Sequence, residues 1–287
     1  MRIPILTYHS MTISGNRYED NDHVAFASDI ERITASGFRV LPLSRIVSMW
    51  LKSPHILETE PIVALTCDDA PDFDFHDLPH PVAGLQRSML NILRDFRGAS
   101  PDAQPGLFLT SFAIVSPAAR VILDRTCMIG ERWWNDDWWP AAVRSGLMGI
   151  GNHSWDHNHD AMPSSADLRN VARGTFHVID NDRLADFQIA DASEYLWKRA
   201  PSPDAALFAY PYGEANEFLV TEYFPRRAEA IRIQAAFDVG AEPIHAGSNR
   251  WRLPRYVFGR DWSSPADLQR ILDDAKRRMP VEIGLTT

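Results

Sequence analysis

Two adjacent carboxylates and a pair of histidines four residues apart carry the chemistry this chain offers. Residues 62–69 read Ile-Val-Ala-Leu-Thr-Cys-Asp-Asp, an apolar run that stops at Asp68 and Asp69. A second apolar run, Gly146 to Gly151, leads into Asn152-His153-Ser154-Trp155-Asp156-His157. One carboxylate and two imidazoles bind a divalent ion and leave a position open for water, and the second carboxylate can take that water's proton. The residue types alone do not say which aspartate has which task. Zinc is the default ion for such ligands, with cobalt or nickel as substitutes, because ligand chemistry selects weakly among them.

Strands and helices have to bring these side chains together. Short apolar runs rich in β-branched and aromatic residues predict strands at 3–9, 39–42, 62–69, 106–115, 147–153, 206–212, 235–239 and 251–257. Helical spacing is expected over 26–36, 82–96, 117–125, 138–145, 165–180, 187–199 and 265–279, the last opening on Ser264 before Pro265. Repeated alternation of the two implies a mainly parallel sheet with helices outside. The fold class is therefore α/β, a distorted (β/α) barrel of about seven parallel strands with outer helices. Segment 70–81, with Pro71, Pro79 and Pro81, reads as an irregular loop beside the carboxylates. With no linker or internal repeat, residues 1–287 are expected to form one catalytic domain. Functional residues of such barrels sit at the C-terminal ends of strands. Asp68, Asp69, His153, His157, His9 and Tyr212 all fall there.

Bulk properties exclude several classes. A net charge of −9 leaves no electrostatic footprint for nucleic acid or an anionic membrane surface. No run of about 18 apolar residues is present, so no membrane span is expected. Two cysteines, Cys67 and Cys127, do not suggest a disulfide framework. The start, Met1-Arg-Ile-Pro-Ile-Leu-Thr-Tyr-His, is too short an apolar stretch for a signal peptide, so the chain as written reads as cytoplasmic.

Three motifs, in order, resemble those of the polysaccharide deacetylase family (carbohydrate esterase family 4). They are Thr66-Cys67-Asp68-Asp69-Ala70, His153-Ser154-Trp155-Asp156-His157 and Ala209-Tyr210-Pro211-Tyr212-Gly213, and the resemblance spans roughly residues 1–260. It implies that Asp69, His153 and His157 bind the metal and that Asp68 is the general base on the attacking water. It further implies that the backbone N–H of Tyr212 helps stabilise the oxyanion. The expected activity is removal of an N-acetyl group from an amino sugar or glycan, with release of acetate.

The sequence departs from the family in three places. Ala70 stands where the family has glycine, and Ala209 where it often has an arginine that orients the base. Arg252 or Arg255 could bring that charge from a neighbouring strand, with Arg255 favoured because it follows an apolar run and a proline. The late leucine-x-histidine motif, source of the general acid, is absent; the last histidine is His245. A subset of the family begins on a Tyr-His strand and carries its acid there, and this chain has Tyr8-His9-Ser10. His9 is therefore the expected acid, its ring facing the metal without binding it.

Plainer roles suit other residues. His76, His80 and His159 read as solvated loop residues. Asp156 and Asp160 are either partners of a metal-binding imidazole or surface groups. Of Trp133, Trp134, Trp138 and Trp139, at least two are expected to pack and the rest could stack on sugar. Cys67 reads as inert core. Rival functions are an O-acetyl esterase, a hydrolase of small cyclic amides, or a carbohydrate-binding protein that has lost catalysis. The expected partner is a carbohydrate or an acetylated small molecule, and the oligomeric state is open.

Overall fold

The computed structural model describes residues 2–53, 60–163 and 171–276. The strands in chain order are β1 (Ile5–Tyr8), β2 (Arg39–Val40), β3 (Ile62–Asp69), β4 (Leu78–His80), β5 (Gly84–Gln86), β6 (Leu109–Ala113), β7 (Met148–Asn152), β8 (Leu207–Ala209), β9 (Ala235–Phe237) and β10 (Tyr256–Val257). Seven of them run parallel in the order β10-β1-β3-β6-β7-β8-β9, with β2 added beside the start of β3. The sheet curls into a distorted (β/α) barrel with helices outside. The stretch 253–257 crosses its seam: Leu253 bridges to Phe237 of β9, and Tyr256 and Val257 pair with β1. Arg255 is carried between these two anchors.

Alternation along β3 sorts its side chains. Ile62 and Ala64 pack inside the barrel with Ile5, Phe112, Leu207, Phe237 and Leu253. Val63, Leu65 and Cys67 point outward against the helices, with Phe26, Ile30, Leu90 and Leu93. Period 2 then turns Thr66 and Asp68 inward, and Thr66 Oγ1 lies 2.9 Å from Thr7 Oγ1. Cys67 is thus core, and burial pushes its thiol up.

Several element assignments need correction. The helix expected over 82–96 begins at Met89, capped by Ser88, because Gly84–Gln86 pairs with Leu78–His80 as an antiparallel hairpin. That hairpin also occupies part of the loop read over 70–81. The helix expected over 165–180 is absent from 171–180; its earlier residues, 165–170, lie outside those described. Tertiary contacts override its apolar spacing: Glu214 Oε2 accepts from Thr175 Oγ1 and the Phe176 N–H, each at 2.6 Å, and Gly174 takes φ +81°. The last helix is seen over Pro265–Lys276, and 277–279 also lie outside the described residues. A helix over Leu43–Lys52 was not anticipated. Among the described residues no helix is long and apolar enough to cross a membrane.

Asp204, buried at the opposite end of the barrel from Asp69, accepts from Thr110 Oγ1 at 2.7 Å and Ser44 Oγ at 3.2 Å. Burial outweighs these bonds and pushes its carboxyl up to about 6. A raised folded-state value stabilises fully below the unfolded value of about 4 and is lost as pH rises through about 6. Asp204→Asn should therefore flatten the fall in unfolding free energy between about pH 4 and about pH 7 by about 2 kcal/mol. Urea titrations at both pH values check this; parallel pH profiles of variant and wild type would refute it.

Candidate metal centre

The parallel register lines up the strand ends that form the site. Asp68 is level with Phe112, Asp69 with Ala113, and Ala113 with Asn152. Tyr8 is level with Cys67, so His9 emerges beside Asp68. His153 follows directly after β7, and Ala209 ends β8.

Asp69, His153 and His157 each offer one ligand atom, all within 4.8 Å of one another. His153 Nε2 lies 3.6 Å from Asp69 Oδ1, and His157 Nε2 lies 4.0 Å from the same atom. His153 Nδ1 is 2.9 Å from the Ala209 carbonyl, which must accept its proton and so leaves the Nε2 lone pair facing Asp69. Burial lowers both histidines, His157 the more strongly, which keeps the rings neutral as ligation requires. Among the described residues His157 Nδ1 is buried without a hydrogen-bond partner. This donor set fits a divalent ion: one anionic oxygen and two neutral imidazole nitrogens converge with a side left open.

Asp68 is held differently. Arg255 Nη1 and Nη2 donate to its two oxygens at 2.7 and 2.8 Å, and the guanidinium, fully buried, also lies over the Phe112 ring. Burial alone would raise Asp68, but the charge of Arg255, with His153 beyond it, holds it well below the usual carboxylate range. The arginine beside Asp68 thus comes from the seam-crossing segment, while Arg252 donates instead to Asp238 at 3.0 Å. Among the described residues Asp69 has no such partner, and burial pushes it up to about 6, the charge of His9 offsetting only part. A bound cation would reverse that.

Strained backbone gathers here. Asp69 (φ 76°), Ala70 (52°), Ser154 (71°), His157 (62°), Asn158 (44°) and Tyr212 (58°) are all left-handed without being glycine. Local side chains hold the histidine loop. Asn152 Oδ1 accepts from the Ser154 N–H, Ser154 Oγ from the His157 N–H, and Asp156 Oδ1 from the Asn158 N–H, at 2.8, 2.9 and 3.0 Å. The Tyr212 ring stands edge-on to His157, centroids 4.4 Å apart, and is 40% exposed at the rim. Gly213 follows because a Cβ there would collide with Val239.

The remaining candidates are scattered. His9 is half-buried, and its backbone N–H donates to Asp22 Oδ2 at 2.7 Å. It lies close enough to Asp68, Asp69 and His157 to act on their charge. His76 is exposed and His80 lies near Phe73. His159 sits beside Cys127, Nε2 to Sγ 3.6 Å. Asp156 binds Arg173 and Gln188, and Asp160 binds His159, so neither orients a ligand imidazole. Trp134, Trp138 and Trp139 are buried and Trp133 is half-buried. Sequence reasoning missed Asp22, which looks like an ordinary acid in a helix's first turn, and the bond from Trp134 Nε1 to the Asp69 carbonyl at 2.9 Å.

No protein-family model matches the sequence, and no curated protein matches it significantly. Solved structures do. The Streptococcus pyogenes deacetylase PplD, in complex with acetate, superposes with a TM-score of 0.63 at 16% identity, over 95% of this chain and 98% of that one. IcaB from Ammonifex degensii gives 0.61 at 16% identity, over 96% and 97%. A de-N-acetylase from Aggregatibacter actinomycetemcomitans gives 0.59 at 13% identity, over 93% and 100%. This chain therefore shares its fold with these three proteins, a deacetylase and a de-N-acetylase among them.

Proposed function

We propose that the chain is a divalent-metal-dependent hydrolase that removes N-acetyl groups from an amino sugar or glycan, releasing acetate. The convergence of Asp69, His153 and His157 beside an arginine-held Asp68 carries this reading. The fold shared with a deacetylase and a de-N-acetylase supports the bond type. Zinc suits the ligands, with cobalt or nickel as substitutes.

An ion on these three residues would acidify a water and polarise the acyl carbonyl. Asp68 takes the proton of the attacking water, and Arg255 fixes the direction from which it does so. The Tyr212 N–H donates to the developing oxyanion. His9 gives a proton to the departing amine as the C–N bond breaks, leaving acetate and a free amino group. The bidentate bond from Arg255 supplies the charge that Ala209 lacks, one of the two departures, with the missing late histidine motif, that favour a binding protein without catalysis.

Acetate release from N-acetylglucosamine oligomers and acetylxylan, and ring opening of a cyclic imide, each with and without chelator, test the reading. Chelator-sensitive acetate release from the amino sugar is expected; release from acetylxylan alone makes the chain an O-acetyl esterase, ring opening of the imide alone makes it a cyclic amide hydrolase, and no reaction on any of the three refutes the reading. The role of His9 has its own signature. His9→Ala should spare metal binding and slow amide hydrolysis about 10²-fold or more, while an activated ester, whose leaving group needs no proton, is affected much less. Equal losses on both substrates would remove His9 from the acid role.

A further inference from the structure

We propose that Trp134 is a positioning residue for the ligand Asp69, doing by hydrogen bonding what a glycine at position 70 would do by conformational freedom. The inference rests on the metal-centre reading above. Asp69 and Ala70 are consecutive left-handed residues, φ 76° and 52°, and the peptide between them sets where the Asp69 side chain leaves the backbone. Left-handed backbone is costly for any residue with a Cβ. Ala70 is fully buried, so nothing outside the protein compensates.

The oxygen of that same peptide accepts from Trp134 Nε1 at 2.9 Å, whereas its other donor, the Ile114 N–H, is 3.4 Å away. The indole is itself fixed. It is buried against Ile114, Ala119, Leu123 and Met162. The buried Asp124 carboxylate accepts from the N–H groups of Arg132 and Trp133 at 3.0 and 2.9 Å, just before it in the chain. The same segment clamps the other end of the loop. The Asp72 N–H donates to the Trp133 carbonyl at 2.9 Å, and the Asp72 carboxylate accepts from the Asn135 N–H and Trp138 Nε1. The tryptophan-rich stretch therefore acts on the metal loop through specific bonds as well as by packing.

Trp134→Phe keeps the ring and deletes the N–H; Ala70→Gly relieves the left-handed strain. Co²⁺ affinity by chelator competition, and the Co²⁺ absorption spectrum, are read for wild type, both variants and the double variant. Trp134→Phe should weaken Co²⁺ binding about 10-fold and shift its bands, the usual worth of an outer partner of a ligand. Ala70→Gly should bind as wild type does. The double variant should recover most of the loss, because the strained peptide then holds its place without the indole. The same loss in both backgrounds, or unchanged affinity in Trp134→Phe beside a Co²⁺-binding wild type, overturns the inference alone. A wild type that binds no Co²⁺ overturns the metal-centre reading and this inference with it.

Discussion

Purified His153→Ala protein is expected to carry no divalent metal and to hydrolyse N-acetyl substrates at the background rate. The expectation follows from how this imidazole is held. Its Nδ1 is committed to the Ala209 carbonyl at 2.9 Å, so only Nε2 is available, and that atom lies 3.6 Å from Asp69 Oδ1. Truncation removes one of the three proposed ligands. The remaining pair, one carboxylate and His157, is too few for a site that keeps a position open to water. The ring is also buried, so neighbouring side chains are packed around it and no exposed group can take its place. Elemental analysis decides the matter: a metal-to-protein ratio equal to that of wild type would remove His153 from the ligand set. His76→Ala, at an exposed histidine, is the control and should leave both metal content and rate unchanged.

What the sequence disclosed, and what it hid, follows from where the information resides. Strand β3 could be read to the residue because a parallel strand buried on both faces is a continuous apolar run, and here two charges end it. The helix over Leu43–Lys52 is legible too, since Leu43, Ile46, Val47 and Trp50 repeat at helical spacing directly after the short strand β2. The stretch 171–180 shows the opposite case: its apolar spacing imitates a helix, but the Glu214 carboxylate, distant in sequence, takes up its backbone and hydroxyl donors. The candidate metal-binding set was visible because aspartates and histidines at the ends of apolar strands are locally conspicuous. Residues that act through another group were not. Trp134 reads as packing until its N–H is seen on the Asp69 carbonyl, and Asp22 reads as a helix-start acid until it is seen on the His9 N–H. Arg255 is legible through the gap at Ala209 and the apolar run and proline before it, but its reach to Asp68 depends on the seam crossing, which no local pattern encodes.

Asp68→Asn should retain its metal and lose turnover by about 10²–10⁴-fold, the usual worth of a general base. Asp68 is adjacent to a ligand, and its Oδ2 is 3.9 Å from His153 Nε2, so it must be distinguished from a fourth ligand by experiment. The structure supports the base role through Arg255, whose two nitrogens occupy both carboxylate oxygens and fix the plane of the group. That engagement keeps Asp68 ionised and fixes its direction, as a proton acceptor needs, while lowering its basicity, so the role requires an acidified water. Asparagine keeps the shape and one acceptor but removes the charge, leaving the fully buried guanidinium without its counter-ion. Breaking a buried pair costs about 3–5 kcal/mol, so the variant should also melt at a lower temperature. Metal content measured below that melting temperature separates the two effects. Near-stoichiometric metal with turnover collapsed identifies Asp68 as the base, whereas metal loss as complete as in His153→Ala would make it a ligand and require the proton acceptor to be sought elsewhere on the rim.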